Sequence, residues 1–190
     1  SIVDVSGACS ILAAWDGTND PDRVGPHIWR EFYSDVSDTP NLFAVPFDVN
    51  DPVNTPRDMN IADPAVRSQV MLDLATAVQN LAAAGIPLDR AWGQVHFDTR
   101  NGEIFPIHGG SGGSGVYNAI SSGGLIDGVG YTPIFAGSSY IQAVQWDRGW
   151  PDARAIVTYS QSTDPASPHF SDMTQLFSDQ GWVSFPYHNR

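Results

Sequence analysis

The segment YSQSTDPASPHFSD, residues 159–172, concentrates side-chain types that perform acyl transfer in many hydrolases. Serine, histidine and aspartate can act as nucleophile, general base and orienting carboxylate when a fold brings them together. The same residue types also build turns, because Ser and Asp side chains accept hydrogen bonds from nearby backbone amides. Pro165 and Pro168 add to the turn chemistry of the segment. From these residues alone we predict that residues 164–172 form an ordered turn.

The glycine-rich run GGSGGSG, residues 109–115, matches two functional motifs. Residues 110–115 fit the GxGxxG pattern of dinucleotide-binding loops, and residues 109–113 fit the GxSxG pattern with Ser111 as a nucleophile. Both motifs need a helix directly after the loop, whereas only VYNAI follows before the next Ser-Gly-Gly run. We therefore predict a loop that binds no nucleotide. An α/β-hydrolase using Ser111, Asp164 and His169 is a third hypothesis, and the missing alternation of strands and helices argues against it.

Metal-ligand patterns are incomplete in this sequence. Residues 16–22 resemble a calcium loop in composition, but Pro21 stands where an EF-hand has Gly, so a turn that ends a helix is the better interpretation. The histidines do not pair at the helical spacing of zinc ligands. They are His27, His96, His108, His169 and His188. Cys9, the only cysteine, lies in the apolar segment ACSILAAW and is expected to be buried. We predict no metal and no cofactor.

The charge of the chain excludes two classes of partner. Nine Lys and Arg residues stand against 21 Asp and Glu residues, which gives a formal net charge of -12. Nucleic acids and anionic membranes both require a basic surface, and the basic residues here do not cluster. No apolar run approaches the length of a membrane-spanning helix. We expect neither nucleic acid nor membrane as a partner.

The first half of the chain has helical patterns. Apolar residues recur at helical spacing in residues 8–15 and again after Pro26, so we predict two helices within residues 7–36. Residues 37–62 contain four prolines and are predicted to form an ordered loop. The next helix, residues 64–84, has Asp63 as its N-cap and Pro64 at its first position.

The second half has the period-two pattern of β-strands in AWGQVHF, EIFPIH, SYIQAVQW and RAIVTYS. The last two are predicted to pair as an antiparallel hairpin, and the glycine-rich residues 109–130 to form a loop. Helices precede strands, which predicts an α+β fold. We expect one segment over residues 1–190, with residues 1–88 mainly helical around a Pro-rich loop and residues 89–190 mainly β around a Gly-rich loop.

Several motifs carry a resemblance to a known family. YSQSTDPASPHFSDMTQLFS resembles the C-terminal signature of the penicillin acylase (penicillin amidase) family of N-terminal-nucleophile hydrolases, and it is closest to the acyl-homoserine-lactone and aculeacin acylases. The matching residues are Gln161, Ser162, Pro165, Ser167, Pro168, His169, Phe170 and Asp172. The likeness continues through GSSYIQAVQW, FPIHGGSGGSGVYNA, DPVNTPRDMN and ACSILAAWDG, so it covers nearly the whole chain.

The resemblance also implies which parts of the enzyme lie elsewhere. In the family the nucleophile is the first Ser of the large subunit, followed by Asn and soon by an aromatic residue. Ser1 is followed by Ile2, Val3 and Asp4, so Ser1 is not that nucleophile. The catalytic Ser, the His near it and the oxyanion Asn are expected upstream. We interpret the chain as a piece or a processed product of a longer protein, corresponding to the C-terminal part of the large catalytic subunit.

One residue of this chain is a candidate to reach the catalytic machinery. Cephalosporin acylases have a Glu that orients the catalytic His just before the strand matching YIQAVQW, and Ser138 occupies that place. A serine offers a hydrogen bond without a charge, so its orienting effect would be weaker. The alternative is that Ser138 only begins the strand.

The function implied by the resemblance is hydrolysis of the acyl amide bond of acyl-homoserine lactones, lipopeptides or β-lactam-type amides, without a cofactor. The implied partners are the upstream large-subunit segment, the small subunit and a small acyl amide substrate, and the implied location is periplasmic or secreted. The strands and helices of this chain would complete a layered sheet core. The alternative is a catalytically silent binding or structural module derived from an acylase.

Overall fold

Four α-helices form in the structure, a computed structural model that describes residues 2–147 and 149–185. They are α1 Ser6–Ala14, α2 Pro26–Val36, α3 Pro64–Ala83 and α4 Asp172–Ser178. The first three confirm the helices predicted from apolar spacing. Asp63 caps α3 as predicted, because its Oδ1 accepts a hydrogen bond from the amide of Ala65 at 2.8 Å.

Eleven strands form five small sheets among the described residues. The strands are β1 Phe43–Val45, β2 Arg57–Met59, β3 Phe97–Arg100, β4 Glu103–Pro106, β5 Ile120–Ser122, β6 Leu125–Ile126, β7 Gly130–Tyr131, β8 Ile134–Gly137, β9 Tyr140–Asp147, β10 Trp150–Val157 and β11 Val183–Phe185. Four sheets have two strands each, namely β1–β2, β3–β4, β5–β8 and β6–β7. The fifth has the order β11–β10–β9, and every strand pair is antiparallel. The α+β fold class is confirmed, and so is the hairpin formed by β9 and β10.

The larger of two hydrophobic cores lies between α2 and α3. Ile28 and Val36 of α2 and Leu81 of α3 are completely buried there. Trp92 and Tyr131, far along the chain, complete this first core. Gly25 permits the close approach of α1, since a Cβ at Gly25 would lie 2.8 Å from the Trp15 ring. The core of the helical half therefore includes two aromatic residues of the β half, Trp92 and Tyr131.

The second core is smaller and lies between the β9–β10 hairpin and α4. Ile156 of β10, Phe177 of α4 and Phe105 of β4 are all nearly completely buried in it. Ile120 and Ile134, from β5 and β8, fill the remaining space. None of the described helices is long and apolar enough to cross a membrane.

Four expectations need correction. AWGQVHF is not a strand from its start, because Trp92–Gln94 forms a 3₁₀ turn in which Val95 N bonds Trp92 O at 3.0 Å, and β3 begins only at Phe97. Residues 37–62 contain the β1–β2 pair, and residues 109–130 contain β5, β6 and the start of β7. Cys9 is exposed, since only Ala8 is buried in α1 and the next residue along a helix points about 100° away.

Candidate functional site

The signature segment, residues 159–172, is organised by local side-chain to backbone hydrogen bonds. Ser162 Oγ accepts a hydrogen bond from the Asp164 amide at 3.1 Å, and Asp164 Oδ1 accepts one from the Ala166 amide at 2.9 Å. Ser167 Oγ accepts from the His169 amide at 3.1 Å. Each bond spans two residues, which is the geometry of Asx and Ser/Thr turns. The hydroxyls and carboxylates of this segment therefore hold its own backbone.

His169 and Asp172 form the one side-chain pair in this segment that resembles catalytic machinery. His169 Nδ1 lies 2.7 Å from Asp172 Oδ2. This hydrogen bond lowers the pKa of the Asp172 carboxyl below its usual value. The His169 side chain is 71% exposed, and no described contact joins it to a serine hydroxyl. A base without a neighbouring nucleophile cannot start acyl transfer by itself.

Two residues of the β3–β4 hairpin fasten the signature segment to the body of the protein. Arg100 Nη1 donates a hydrogen bond to Phe170 O at 2.8 Å, and its guanidinium lies 5.5 Å from the centre of the Phe170 ring. Asn101 Nδ2 donates to Pro165 O at 3.0 Å. The segment is thus held at its middle, through Pro165, and near its end, through Phe170.

Ser138 lies where three parts of the second half meet. Its amide donates to Ala119 O at 3.0 Å, at the start of β5, and its carbonyl oxygen accepts a hydrogen bond from Thr158 Oγ1 at the end of β10. Two residues further on, Ser160 bonds Thr174 of α4 by its amide and its hydroxyl. The backbone of Ser138 is therefore fixed on both sides, while its hydroxyl makes no described hydrogen bond.

The start and the end of the glycine-rich loop are hydrogen-bonded to each other. Gly110 N donates to Asn118 O at 3.2 Å, and Ile120 N donates to Gly110 O at 2.7 Å. Gly109 has a φ of 94°, and a Cβ there would lie 2.5 Å from the Asn118 carbonyl oxygen, so only glycine fits. After Ser111 the chain makes a 3₁₀ turn of three residues. The helix that both glycine motifs require does not follow the loop.

His108 connects the glycine-rich loop to α4. Its Nε2 donates to Phe177 O at 3.0 Å, because a carbonyl oxygen can only accept, and its Nδ1 then accepts from Asn118 Nδ2 at 3.2 Å. Burial lowers the pKa of His108. A neutral His108 fits both of these bonds, so its role in the described structure is to hold the loop.

A buried stack of polar and aromatic side chains was missed by the sequence analysis. Trp92 stacks on His96 with ring centres 4.3 Å apart, and Arg30 lies 4.1 Å above the ring of Tyr131. The Tyr131 hydroxyl donates to Glu31 Oε1 at 2.8 Å. Trp92 and His96 stand four apart in AWGQVHF, but the sequence gives no sign that Tyr131 joins them from 35 residues away.

Burial controls the protonation of this stack. His96 is completely buried, its Nδ1 bonds Ile107 O at 2.7 Å, and its pKa is lowered to about 4 because the charged form loses its hydration. His27 in α2 is also completely buried, and burial lowers its pKa to about 4 as well. Burial raises the pKa of Tyr131 and lowers that of Arg30. Both histidines are neutral at pH 7 and belong to the core.

The structure does not bring the remaining candidate site residues together into one site. Asp16 accepts hydrogen bonds from the amide and hydroxyl of Thr18 and pairs with Arg23 at 3.0 Å, which is a turn at the end of α1. No three His, Cys, Asp or Glu residues in the described ranges are placed to hold a metal ion. Ser111 lines a cleft beside Arg30, and no described contact joins it to Asp164 or His169. Ser1 and His188 lie outside the described residues.

The chain belongs to the penicillin amidase family, because the family model described as penicillin amidase matches residues 2–190. It is 39% identical over 188 residues to aculeacin-A acylase of Actinoplanes utahensis, an alignment that covers 98% of this chain and 22% of that protein. It is 33% identical over 180 residues to the acyl-homoserine lactone acylase PvdQ of Pseudomonas syringae pv. syringae, covering 94% of this chain and 23% of that protein. The resemblance inferred from the signature is confirmed.

The alignment with a third relative covers similar shares of both proteins. The acyl-homoserine lactone acylase PvdQ of Pseudomonas fluorescens (strain Pf0-1) is 33% identical over 184 residues, covering 96% of this chain and 23% of that protein. The chain therefore spans between a fifth and a quarter of the length of these relatives. In these relatives the region that matches this chain is therefore one part of a much longer protein.

Proposed function

We propose that this chain is the C-terminal supporting segment of an acylase that hydrolyses the acyl amide bond of acyl-homoserine lactones, lipopeptides or β-lactam-type amides. The observation that carries the proposal is the family match over residues 2–190, with relatives that are acylases four to five times longer. The catalytic Ser then lies in the part of the enzyme upstream of this chain. The complete enzyme would be exported to the periplasm or secreted.

The chemistry of the described residues agrees with a supporting role. Amide hydrolysis by an N-terminal serine needs a nucleophile, a base and oxyanion donors in one place. The His169–Asp172 pair has a base and an orienting carboxylate, but the His169 ring is 71% exposed and no described contact joins that ring to a serine hydroxyl. The hydrogen bonds of the turn and of the glycine-rich loop described above fix the backbone of those two segments. We infer that the segment shapes and stabilises an active centre that other residues form.

Ser138 is the residue of this segment that we propose to stand nearest to the chemistry. Its backbone is fixed by Ala119 and Thr158, and its hydroxyl makes no described hydrogen bond, so the hydroxyl is available to a partner outside the chain. A hydrogen bond from this position to the catalytic His would orient the imidazole without adding charge. Replacement by alanine in the complete enzyme should lower kcat by less than about tenfold, the value of one ordinary hydrogen bond.

The second candidate function is a catalytically silent binding or structural module derived from an acylase. The exposed apolar side chains of the β half, among them Trp146 and Tyr140, would serve such a module equally well. The two functions differ in what the encoding reading frame contains, since an acylase requires an upstream segment with an internal Ser-Asn-aromatic cleavage site.

The test is amide hydrolysis by the protein expressed from the complete reading frame. Acyl-homoserine lactones, an aliphatic lipopeptide and a phenylacetyl amide would be incubated with the purified protein, and release of the free amine would be measured. A matched protein in which the upstream nucleophile is replaced by alanine serves as the control. We expect turnover of at least one substrate that the control lacks. A complete protein that folds and cleaves none of them would favour the binding module.

A further inference from the structure

Arg30 of α2 holds a half-buried positive charge for which the described residues provide no paired carboxylate. Its Nη1 donates a hydrogen bond to Ser122 Oγ at 2.7 Å, and its Nη2 donates one to Gly123 O at 3.1 Å. The guanidinium also lies 4.1 Å from the centre of the Tyr131 ring. These three partners are neutral, so they fix the guanidinium in one place without balancing its charge. A partly buried charge without a counter-charge favours the binding of an anion.

Glu31, the next residue of α2, balances this charge only in part. Its Oε1 accepts a hydrogen bond from the Tyr131 hydroxyl at 2.8 Å, and no described ion pair joins Glu31 to Arg30. Burial lowers the pKa of Arg30, and the nearby charge of Glu31 opposes that shift. The chain as a whole has a net charge of -12, which repels further negative charge. The anion that suits Arg30 therefore carries one negative charge rather than two.

Arg30 lines a cleft of about 230 Å³ between α2 and the glycine-rich loop. The other lining residues are Tyr33, Ser34 and Ser37 on the side of α2 and Ser111, Gly113 and Ser114 on the side of the loop. The hydroxyls of Ser37, Ser111 and Ser114 make no described hydrogen bond. Because a hydroxyl can donate to an oxyanion, the cleft combines one cation with several free donors.

Both walls of the cleft are fixed by contacts elsewhere. On one side Ile28 and Val36 anchor α2 in the first core, where both are completely buried. On the other side the 3₁₀ turn connects Ser111 to Ser114, since Ser114 N donates to Ser111 O at 3.0 Å. Donors that are already in place lose little conformational entropy when a ligand binds. The cleft is therefore suited to a small ligand.

We propose that this cleft binds the carboxylate of a small organic acid. Arg30 supplies the positive charge, and Ser111 and Ser114 donate hydrogen bonds to the carboxylate oxygens. A guanidinium is planar, and its N–H groups match the geometry of a carboxylate. The inference goes beyond the proposed function and does not depend on it. Hydrolysis of an acyl amide would nevertheless supply a ligand of this class, because it releases a carboxylic acid.

The first experiment titrates the protein expressed from the complete reading frame with sodium acetate, at an ionic strength held constant with sodium chloride. Binding is followed by saturation-transfer NMR of the acetate methyl group. We expect saturable binding with a Kd on the order of 1 mM, because a ligand of so few atoms makes few contacts. Absence of saturable binding would overturn the proposal.

Inorganic phosphate in competition with acetate tests the charge of the ligand. Phosphate should displace acetate only at a concentration several times higher than the acetate Kd, because Glu31 disfavours a second negative charge. Displacement at a concentration below the acetate Kd would overturn the assignment to a carboxylate.

The second experiment locates the bound acetate with variants of the same complete protein. Gly113→Val fills the cleft, and a Cβ at Gly113 meets only Ser111 Oγ at 3.9 Å, so it should leave the melting temperature unchanged. Its Kd for acetate should rise at least tenfold, and so should that of Arg30→Gln. Arg154→Gln removes a guanidinium that does not line the cleft and should change the Kd by less than twofold. An unchanged Kd in Gly113→Val would overturn the proposal, even where Arg30→Gln fails to fold.

The proposed function and the carboxylate site fail in different ways. A complete protein that cleaves no amide but binds acetate in the cleft removes the proposed function and leaves the site. An active acylase whose acetate binding is absent or is insensitive to Gly113→Val removes the site and leaves the function.

Discussion

The two hydrophobic cores of this chain differ in how complete they are. The first core, around α2 and α3, has fourteen buried residues, whereas the second, between the β9–β10 hairpin and α4, has six. The first core also contains both completely buried histidines, His27 and His96. Beside the second core, Trp146 and Tyr140 of β9 are 73% and 54% exposed. The comparison teaches that the helical half builds the larger core, although large apolar side chains such as Phe47, Leu72 and Trp146 are exposed in both halves.

The largest expected effect is acid destabilisation of the first core. The pKa values of His27 and His96 fall from 6.5 to about 4 on folding, so the unfolded state binds more protons between these values. Stability is therefore fully present above pH 6.5 and falls as the pH decreases toward 4. Each histidine should cost up to about 3 kcal/mol by pH 4.

Urea denaturation of the chain between pH 4 and pH 7 measures this effect. His96→Asn keeps a side-chain amide able to reach Ile107 O and removes the titration, so it should lower stability at pH 7 but reduce the slope between pH 6.5 and 4 by about half. A slope unchanged in His96→Asn would show that the acid sensitivity arises outside the first core.

The next effect compares two leucines of one helix. Leu81→Ala in α3 removes a completely buried side chain and should lower the free energy of unfolding by about 3 kcal/mol. Leu72→Ala removes a side chain that is 59% exposed and should cost less than about 1 kcal/mol in the isolated chain. Chemical denaturation of both variants is the measurement. Similar costs would contradict the difference in burial between Leu81 and Leu72.

A smaller effect distinguishes the N-cap of α3 from the N-cap of α4. Asp63 caps α3 through a 2.8 Å bond to the Ala65 amide, and its replacement by alanine should cost about 1 kcal/mol. Ser171 precedes α4 without a side-chain capping bond, so Ser171→Ala should cost no more than a few tenths of that. Thermal melts of the two variants decide the point. A larger loss for Ser171→Ala would show that α4 has a capping bond that this account lacks.

The smallest effect concerns the signature segment. Ser167→Ala removes one local bond, and Asp172→Ala removes the bonds of its carboxylate to the Met173 amide and to His169 Nδ1. Each replacement should cost about 1 kcal/mol. Activity of the complete enzyme should stay within a small factor of the wild type. Loss of activity at unchanged stability would mean that the segment takes part in catalysis.

The elements that are predicted correctly from the sequence are those stabilised by residues close together in the chain. α3 has Asp63 as its cap, Pro64 at its first position and an apolar stripe, and all of these act within one stretch of chain. The signature turn likewise depends on side chains that bond amides two residues away. Local chemistry of this kind can be read without knowledge of the rest of the fold.

The missed elements either depend on distant partners or are too short to show a periodic pattern. β5 pairs with β8, and the two-residue strands β6 and β7 pair with each other inside a glycine-rich region that has no periodic pattern. α4 has only seven residues, too few for a helical period to stand out. The stack of Arg30, Tyr131, Trp92 and His96 joins residues from both halves of the chain, so no local pattern could indicate it.

The central claim is our proposal that this chain belongs to a longer acylase whose catalytic residues lie outside residues 1–190. The most direct test compares release of free amine from acyl-homoserine lactones and anilides by the 190-residue chain, by its Ser1→Ala variant and by the complete enzyme, at equal molar concentration. We predict turnover by the complete enzyme, little changed by replacement of Ser1, and a rate at background for the chain alone. Turnover by the isolated chain that vanishes in the Ser1→Ala variant would contradict the account and make Ser1 the nucleophile.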